Sequence, residues 1–235
     1  VSGKTNFALS SIETINLSAA GAGLQVSAAQ FNANSTFALT GTAAATDILT
    51  VTGSASADTV SLGSVTVTTA STSITGGAGD DTLTGSAGVD VIEGGVGSDA
   101  ISGGTGNDTV TYAGAADTAD TGTQVGVVVN LSASAITNTT IVSSTGDFTA
   151  DSVTSVASNT AAYLYAAAGA TNSAAIDTLN SMENITGTDG TDYIVGSSTA
   201  NVITGGAGVD TITGGLGADV FVLGDSTTGN NYDTI

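Results

Sequence analysis

Between residues 76 and 111 the chain reads GGAGDDTLT, GSAGVDVIE, GGVGSDAIS, GGTGNDTVT, four units of nine without a gap, and residues 187 to 222 repeat the pattern as GTDGTDYIV, GSSTANVIT, GGAGVDTIT, GGLGADVFV. All eight units begin with glycine, seven carry glycine at the fourth place and seven carry aspartate at the sixth. Every unit has an apolar residue at the eighth. An internal period this strict restricts the chain to a stacked repeat architecture, because each unit buries its apolar residue only against its neighbours.

Six glycine-rich residues turn the chain sharply, and the next three form a short strand whose central residue points inward. Those residues are Leu83, Ile92, Ile101, Val110, Ile194, Ile203, Ile212 and Phe221. A turn and a strand make half a coil, so two units complete one coil and turns two units apart stack on the same edge. Asp81 is then placed over Asp99, Asp90 over Asp108, Asp192 over Asp210, and Asn201 over Asp219. Stacked carboxylates repel unless a cation lies between them.

The chain supplies no such cation. Its 235 residues hold 21 acidic side chains against one base, Lys4, with no histidine, for a formal charge of -20. That balance excludes nucleic acid and anionic membranes as partners and favours a hard divalent cation, Ca²⁺ first, because calcium takes six to eight oxygens from carboxylates and backbone carbonyls. Without cysteine there is neither a disulfide nor thiolate-bound metal to hold the fold. The absence of proline suits long ladders, and 4% aromatic content suits a thin core. No apolar run approaches the length of a membrane helix and no secretory leader opens the sequence, so any export signal is expected outside it.

The repeats resemble the RTX (repeats-in-toxin) family of bacterial proteins exported by type I secretion, with its GGxGxDxUx consensus. That resemblance implies an all-β fold, a right-handed parallel β-roll or β-solenoid, in which several Ca²⁺ ions lie between turns. The sixth-place aspartates and the glycine-rich positions before them hold those ions. Carried over to this sequence, the positions in the first block are Gly76, Gly77, Gly79 and Asp81; Gly85, Gly88 and Asp90; Gly94, Gly95, Gly97 and Asp99; and Gly103, Gly104, Gly106 and Asp108. In the second block they are Gly187, Gly190 and Asp192; Gly205, Gly206, Gly208 and Asp210; and Gly214, Gly215, Gly217 and Asp219. Thr199 and Asn201 depart from the pattern, so the site using that turn is expected to be weak or empty. Asp117 lies nine residues after Asp108 and Glu183 nine before Asp192, and each is a candidate cap or extra ligand.

Outside the blocks the rhythm loosens. Residues 1–75 keep strand-like stretches in IETINL, DILTVTG and ADTVSLGSVTVT, with a worn unit around Asp58, and read as solenoid without metal. Block I is taken as 76–120 and an intervening β segment as 121–186. In that segment GVVVNLSA at 126–133 is a clear strand, AAYLYAAAGA is a strand pair or a short helix, and a fresh block opens near Met182. Block II follows at 187–222, and 223–235 begin a cap that stops in mid-motif, which suggests a fragment of a larger protein.

Hydrolytic triads need a histidine base, and HExxH sites need two histidines. Neither is available, and an adjacent pair such as Asp80 and Asp81 in a turn serves a metal better than glycosidase chemistry. The expectation is a non-enzymatic, calcium-ordered extracellular rod. The scarcity of Lys and Arg, the Ala/Thr/Ser/Gly richness and the metal-poor flank resemble RTX-type surface-layer (S-layer) proteins, which implies self-association into an array on the bacterial cell surface without membrane insertion. The alternatives are the calcium-binding C-terminal module of a secreted protease, lipase or epimerase, and a segment of an RTX adhesin.

Overall fold

The computed structural model describes residues 14–16, 23–28, 38–40, 47–64, 66–68, 70–114, 124–137, 155–165, 176–223 and 235. Among the described residues strands and turns prevail, with no α-helix. Two eight-stranded sheets face each other across a thin core.

One sheet is parallel throughout and runs without interruption from Gly23–Ser27 through Asp47–Thr52, Ala70–Ala78, Asp90–Val96, Thr109–Thr111, Asn184–Thr186 and Val202–Thr204 to Val220–Val222. Its register stacks Val26, Val51, Ile74, Ile92, Val110, Ile185, Ile203 and Phe221 in one inward row. All but Phe221, which is partly buried, lie in the core. The eighth-place residues point inward as the period requires. Asn184–Thr186, which the sequence assigns to the intervening segment, is a rung of the repeat sheet, because it pairs with Thr109–Thr111 on one side and Val202–Thr204 on the other.

The opposite sheet carries the insertion. Thr59–Ser61, Thr82–Thr84, Ala100–Ser102 and Ile176–Asn180 are parallel. Thr160–Tyr165 then runs antiparallel between Ile176–Asn180 and Gln124–Asn130, after which Tyr193–Val195 and Thr211–Thr213 resume the parallel order. Two strands are thus wedged into one face while the other face closes directly across the gap. The strand Thr160–Tyr165 settles the first half of AAYLYAAAGA as strand rather than helix, and the remainder lies outside the described residues.

Strand Gln124–Asn130 is apolar on both sides because both are covered. Val127 and Val129 join the main core, whereas Val128 packs outward with Ile136, Val156, Ala162 and Tyr193 under a short antiparallel pair. Asn130 fastens that cover, its Nδ2 donating to the carbonyls of Ser134, Val156 and Ala157.

The amino-terminal coils have three faces rather than two. Thr14–Asn16, Ala38–Thr40 and Thr66–Thr68 form a separate parallel sheet, and 23 residues separate Asp58 from Asp81, against 18 between Asp81 and Asp99. Ala38–Thr40 and Thr66–Thr68 each add a third strand to their coil. Of the candidate cap at 223–235 only Leu223 and Ile235 are described, and Asp117 lies outside the described residues.

Candidate metal centre

Coils of 18 residues bring the sixth-place side chains into ladders along both edges. The amide of Asp81 donates to Oδ1 of Asp99 at 2.8 Å, that of Asp90 to Asp108 at 2.9 Å, that of Asp192 to Asp210 at 2.9 Å, and that of Asn201 to Asp219 at 3.0 Å. The four stacked pairs expected from the period are therefore in place. The ladder also extends beyond the consensus. Asp58 N–H donates to Asp81 Oδ1 at 2.7 Å, Val127 N–H to Asp192 Oδ1 at 2.7 Å, Asp99 N–H to Asp177 Oδ1 at 2.9 Å, and Asp108 N–H to Glu183 Oε2 at 2.9 Å.

Six of the seven repeat carboxylates are buried, and Asp219 is partly so. Asp90, Asp108, Asp192 and Asp210 are 0% exposed, and Asp81 and Asp99 2%. Burial pushes Asp81, Asp90 and Asp192 up to about 6 and moves Asp108 upward as well, with Asp99 beside Asp81 and Glu183 beside Asp108 adding repulsion. One base cannot neutralise these groups, so ionised carboxylates in this position need an external cation.

Glycine makes the close stacking possible. At the first place of each unit a Cβ would run into oxygen: on Gly76 it would meet Asp81 Oδ2 and the Gly94 carbonyl, and on Gly187 it would meet Asp192 Oδ2 and the Gly205 carbonyl. A carboxylate oxygen and a carbonyl oxygen of the next coil therefore converge at Gly76, Gly85, Gly103 and Gly187. Gly95 and Gly97 serve differently, with φ of 107° and 137°, a region open to glycine and strained for other residues.

The turns divide into two kinds by the residue at their second place. Where it is glycine, as in the first unit, Asp81 Oδ2 is buried with no hydrogen-bond partner. Where it carries a hydroxyl, the turn closes on its own carboxylate. Ser86 N–H donates to Asp90 Oδ2 at 2.8 Å with its Oγ at 3.0 Å from Oδ1, and Thr188 N–H donates to Asp192 Oδ2 at 2.7 Å with Oγ1 at 2.8 Å from Oδ1. Ser54 does the same for Asp58, and Ser197 for Asn201. The hydroxyl four residues before the acid is legible in the sequence once its role is known, and the list of site residues drawn from the consensus omits it. Asp177 is also absent from that list. It is 0% exposed, and Tyr112 OH donates to its Oδ2 at 3.1 Å.

Among the described residues no three acidic side chains converge on one point. The donor set is instead one or two carboxylates with glycine carbonyls, all hard oxygen, in flexible number and geometry. That set fits calcium and does not fit zinc or a thiolate-binding metal. Residues 74–111 and 186–221, less than half of the chain, match the family model of the RTX calcium-binding nonapeptide repeat (four copies). No curated protein matches the chain.

Proposed function

We propose that this chain, whose two blocks are RTX calcium-binding nonapeptide repeats that bind several Ca²⁺ ions each, is a structural rod of the bacterial cell surface, an S-layer subunit that orders and assembles in calcium. In this reading the roll is right-handed, and the ions lie between the stacked turns. They are held by Asp81, Asp90, Asp99, Asp108, Asp192, Asp210 and Asp219 together with carbonyls of the glycine-rich positions. Calcium supplies charge neutralisation there. The protein's own residues supply the spacing, the burial and the carbonyl oxygens.

The observation that carries the structural role is the uninterrupted parallel sheet from Gly23–Ser27 to Val220–Val222, which joins a three-faced solenoid to both repeat blocks in a single body. Such a continuous body suits a load-bearing element better than a short module appended to a catalytic domain. The apolar residues Val220, Val222 and Leu223, each about half exposed, offer a surface for contacts between copies. Calcium promotes assembly both by ordering the rod and by reducing the charge of -20 that keeps copies apart.

Electron microscopy and light scattering of the full-length protein test this. Ordered two-dimensional arrays in millimolar calcium, dispersed by chelator, are expected. A full-length protein that stays monomeric in calcium refutes the surface-array role and leaves the calcium-binding module of a secreted enzyme as the better account.

A further inference from the structure

We propose that a calcium site outside the repeats joins block I to the chain returning from the insertion, between the turn Gly103–Asp108 and the non-repeat turn Asn180–Glu183, with Asp108, Glu183 and the Ser181 carbonyl as ligands. This rests on the calcium reading of the ladders and extends it to a segment with no consensus.

The returning turn occupies the place of the next repeat on this edge. Gly103 N–H donates to the Asn180 carbonyl at 3.0 Å as Gly85 N–H donates to the Ser102 carbonyl at 2.8 Å. Asp108 N–H donates to Glu183 Oε2 at 2.9 Å as Asp90 N–H donates to Asp108 Oδ1 at the same distance. The amides of Glu183 and Asn184 both donate to the Asp108 carbonyl, at 3.2 and 2.8 Å. A Cβ on Gly103 would collide with Asp108 Oδ2 and with the Ser181 carbonyl together, the same convergence that Asp81 Oδ2 and the Gly94 carbonyl make over Gly76. The two oxygens lie 2.2 and 2.5 Å from that Cβ position, and so are near enough to each other for one ion with Ca–O bonds of about 2.3–2.6 Å to bridge them.

The second observation is independent of the acidic cluster. Asp108 Oδ2 is buried without a hydrogen-bond partner, while Asp108 Oδ1 already serves the Asp90 amide. The free oxygen therefore faces Ser181 rather than the turn of Asp90. Asp90 Oδ2, one step up the same ladder, is closed off by Ser86. Ser181 itself has φ of 50°, a strained value for serine, held where its carbonyl meets that oxygen. An ion here would tie together residues 75 apart and fix the closure of the insertion.

Isothermal titration of calcium into the full chain and into Glu183→Gln tests the site. Glutamine keeps an oxygen for the Asp108 amide while removing the charge. The expected result is one ion fewer, or one site weakened by about tenfold or more, with the other sites unchanged. Unchanged stoichiometry and affinities in the variant overturn the junction site alone, whereas a wild-type chain that takes up no calcium overturns the parent reading first. If the variant does not fold, the Glu183 carboxyl ¹³C resonance of the wild type decides. Its shift must move on titration with calcium, and a shift unchanged at saturation rejects the site.

Discussion

Substituting Gly95 by alanine probes the stacking of turns directly. Gly95 sits at φ of 107°, and its Cβ would overlap with the Gly77 carbonyl oxygen and approach the carbonyl carbon at 2.9 Å. A non-glycine residue held in such a backbone region costs about 1–3 kcal/mol. The clash is with backbone of the neighbouring coil, not with the flexible end of a side chain. Relief therefore requires the coils to part, and overpacking of that kind costs about 1–3 kcal/mol more. Gly95→Ala is expected to destabilise the calcium-loaded chain by roughly 2–5 kcal/mol, allowing for incomplete additivity. Gly63 is the matched control, because a Cβ there has nothing within 4 Å and its φ lies outside the positive range. Gly63→Ala should fall within about 0.5 kcal/mol of wild type, or stabilise slightly by restricting the unfolded chain. Guanidinium unfolding at fixed, saturating calcium, followed by far-ultraviolet circular dichroism, measures both. If Gly95→Ala comes within about 1 kcal/mol of Gly63→Ala, the turns are not packed backbone against backbone and the register is wrong.

Chelation should abolish β-structure across the blocks at neutral pH, with magnesium a poor replacement because it demands tight octahedral geometry; an unchanged circular dichroism spectrum in EGTA contradicts this. Acid should partly substitute for the ion. Burial lifts Asp81, Asp90 and Asp192 to about 6 from an ordinary 3.8, so between those values the ion-free fold binds protons that the unfolded chain has released. Its stability then grows as pH falls through 6 and is lost as pH rises through 6. A β signal in EGTA that is flat or increases from pH 4.5 to 7.5 refutes that sign. Asp99→Ala should lower calcium uptake in titration calorimetry, whereas Asn201→Ala should cost stability with little change in uptake. The Asn201 amide donates to the Glu183 carbonyl and to Ser197 Oγ, so its work is structural. Equal losses of calcium in the two variants contradict the assignment.

A strict period needs no tertiary information to be converted into contacts. Nine residues per half-coil make Asp81 a neighbour of Asp99 and Asp192 a neighbour of Asp210, and alternation within three-residue strands sends Ile92 and Ile203 inward. The inward row, the edge ladders and the calcium chemistry were therefore legible in the sequence by itself. Even the hydroxyls of Ser86 and Thr188 lie at a fixed local offset from the acids they close upon. Tertiary structure decided whatever depends on chain that leaves the period and comes back. The run GVVVNLSA announces a strand, but nothing local states that it lies beside Tyr193–Val195 with Thr160–Tyr165 antiparallel to it, since that pairing is selected by burial of Val127, Val129 and Ala161 in the shared core. The three-faced coils before residue 78 have no consensus to mark their corners, so their number of faces follows from packing alone. Asp177 and Glu183 reach the ladder across 78 and 75 residues of chain. A nine-residue period stops at the edge of its block, and only the folded sheet, by setting Asn184–Thr186 against Thr109–Thr111, carries the ladder beyond it.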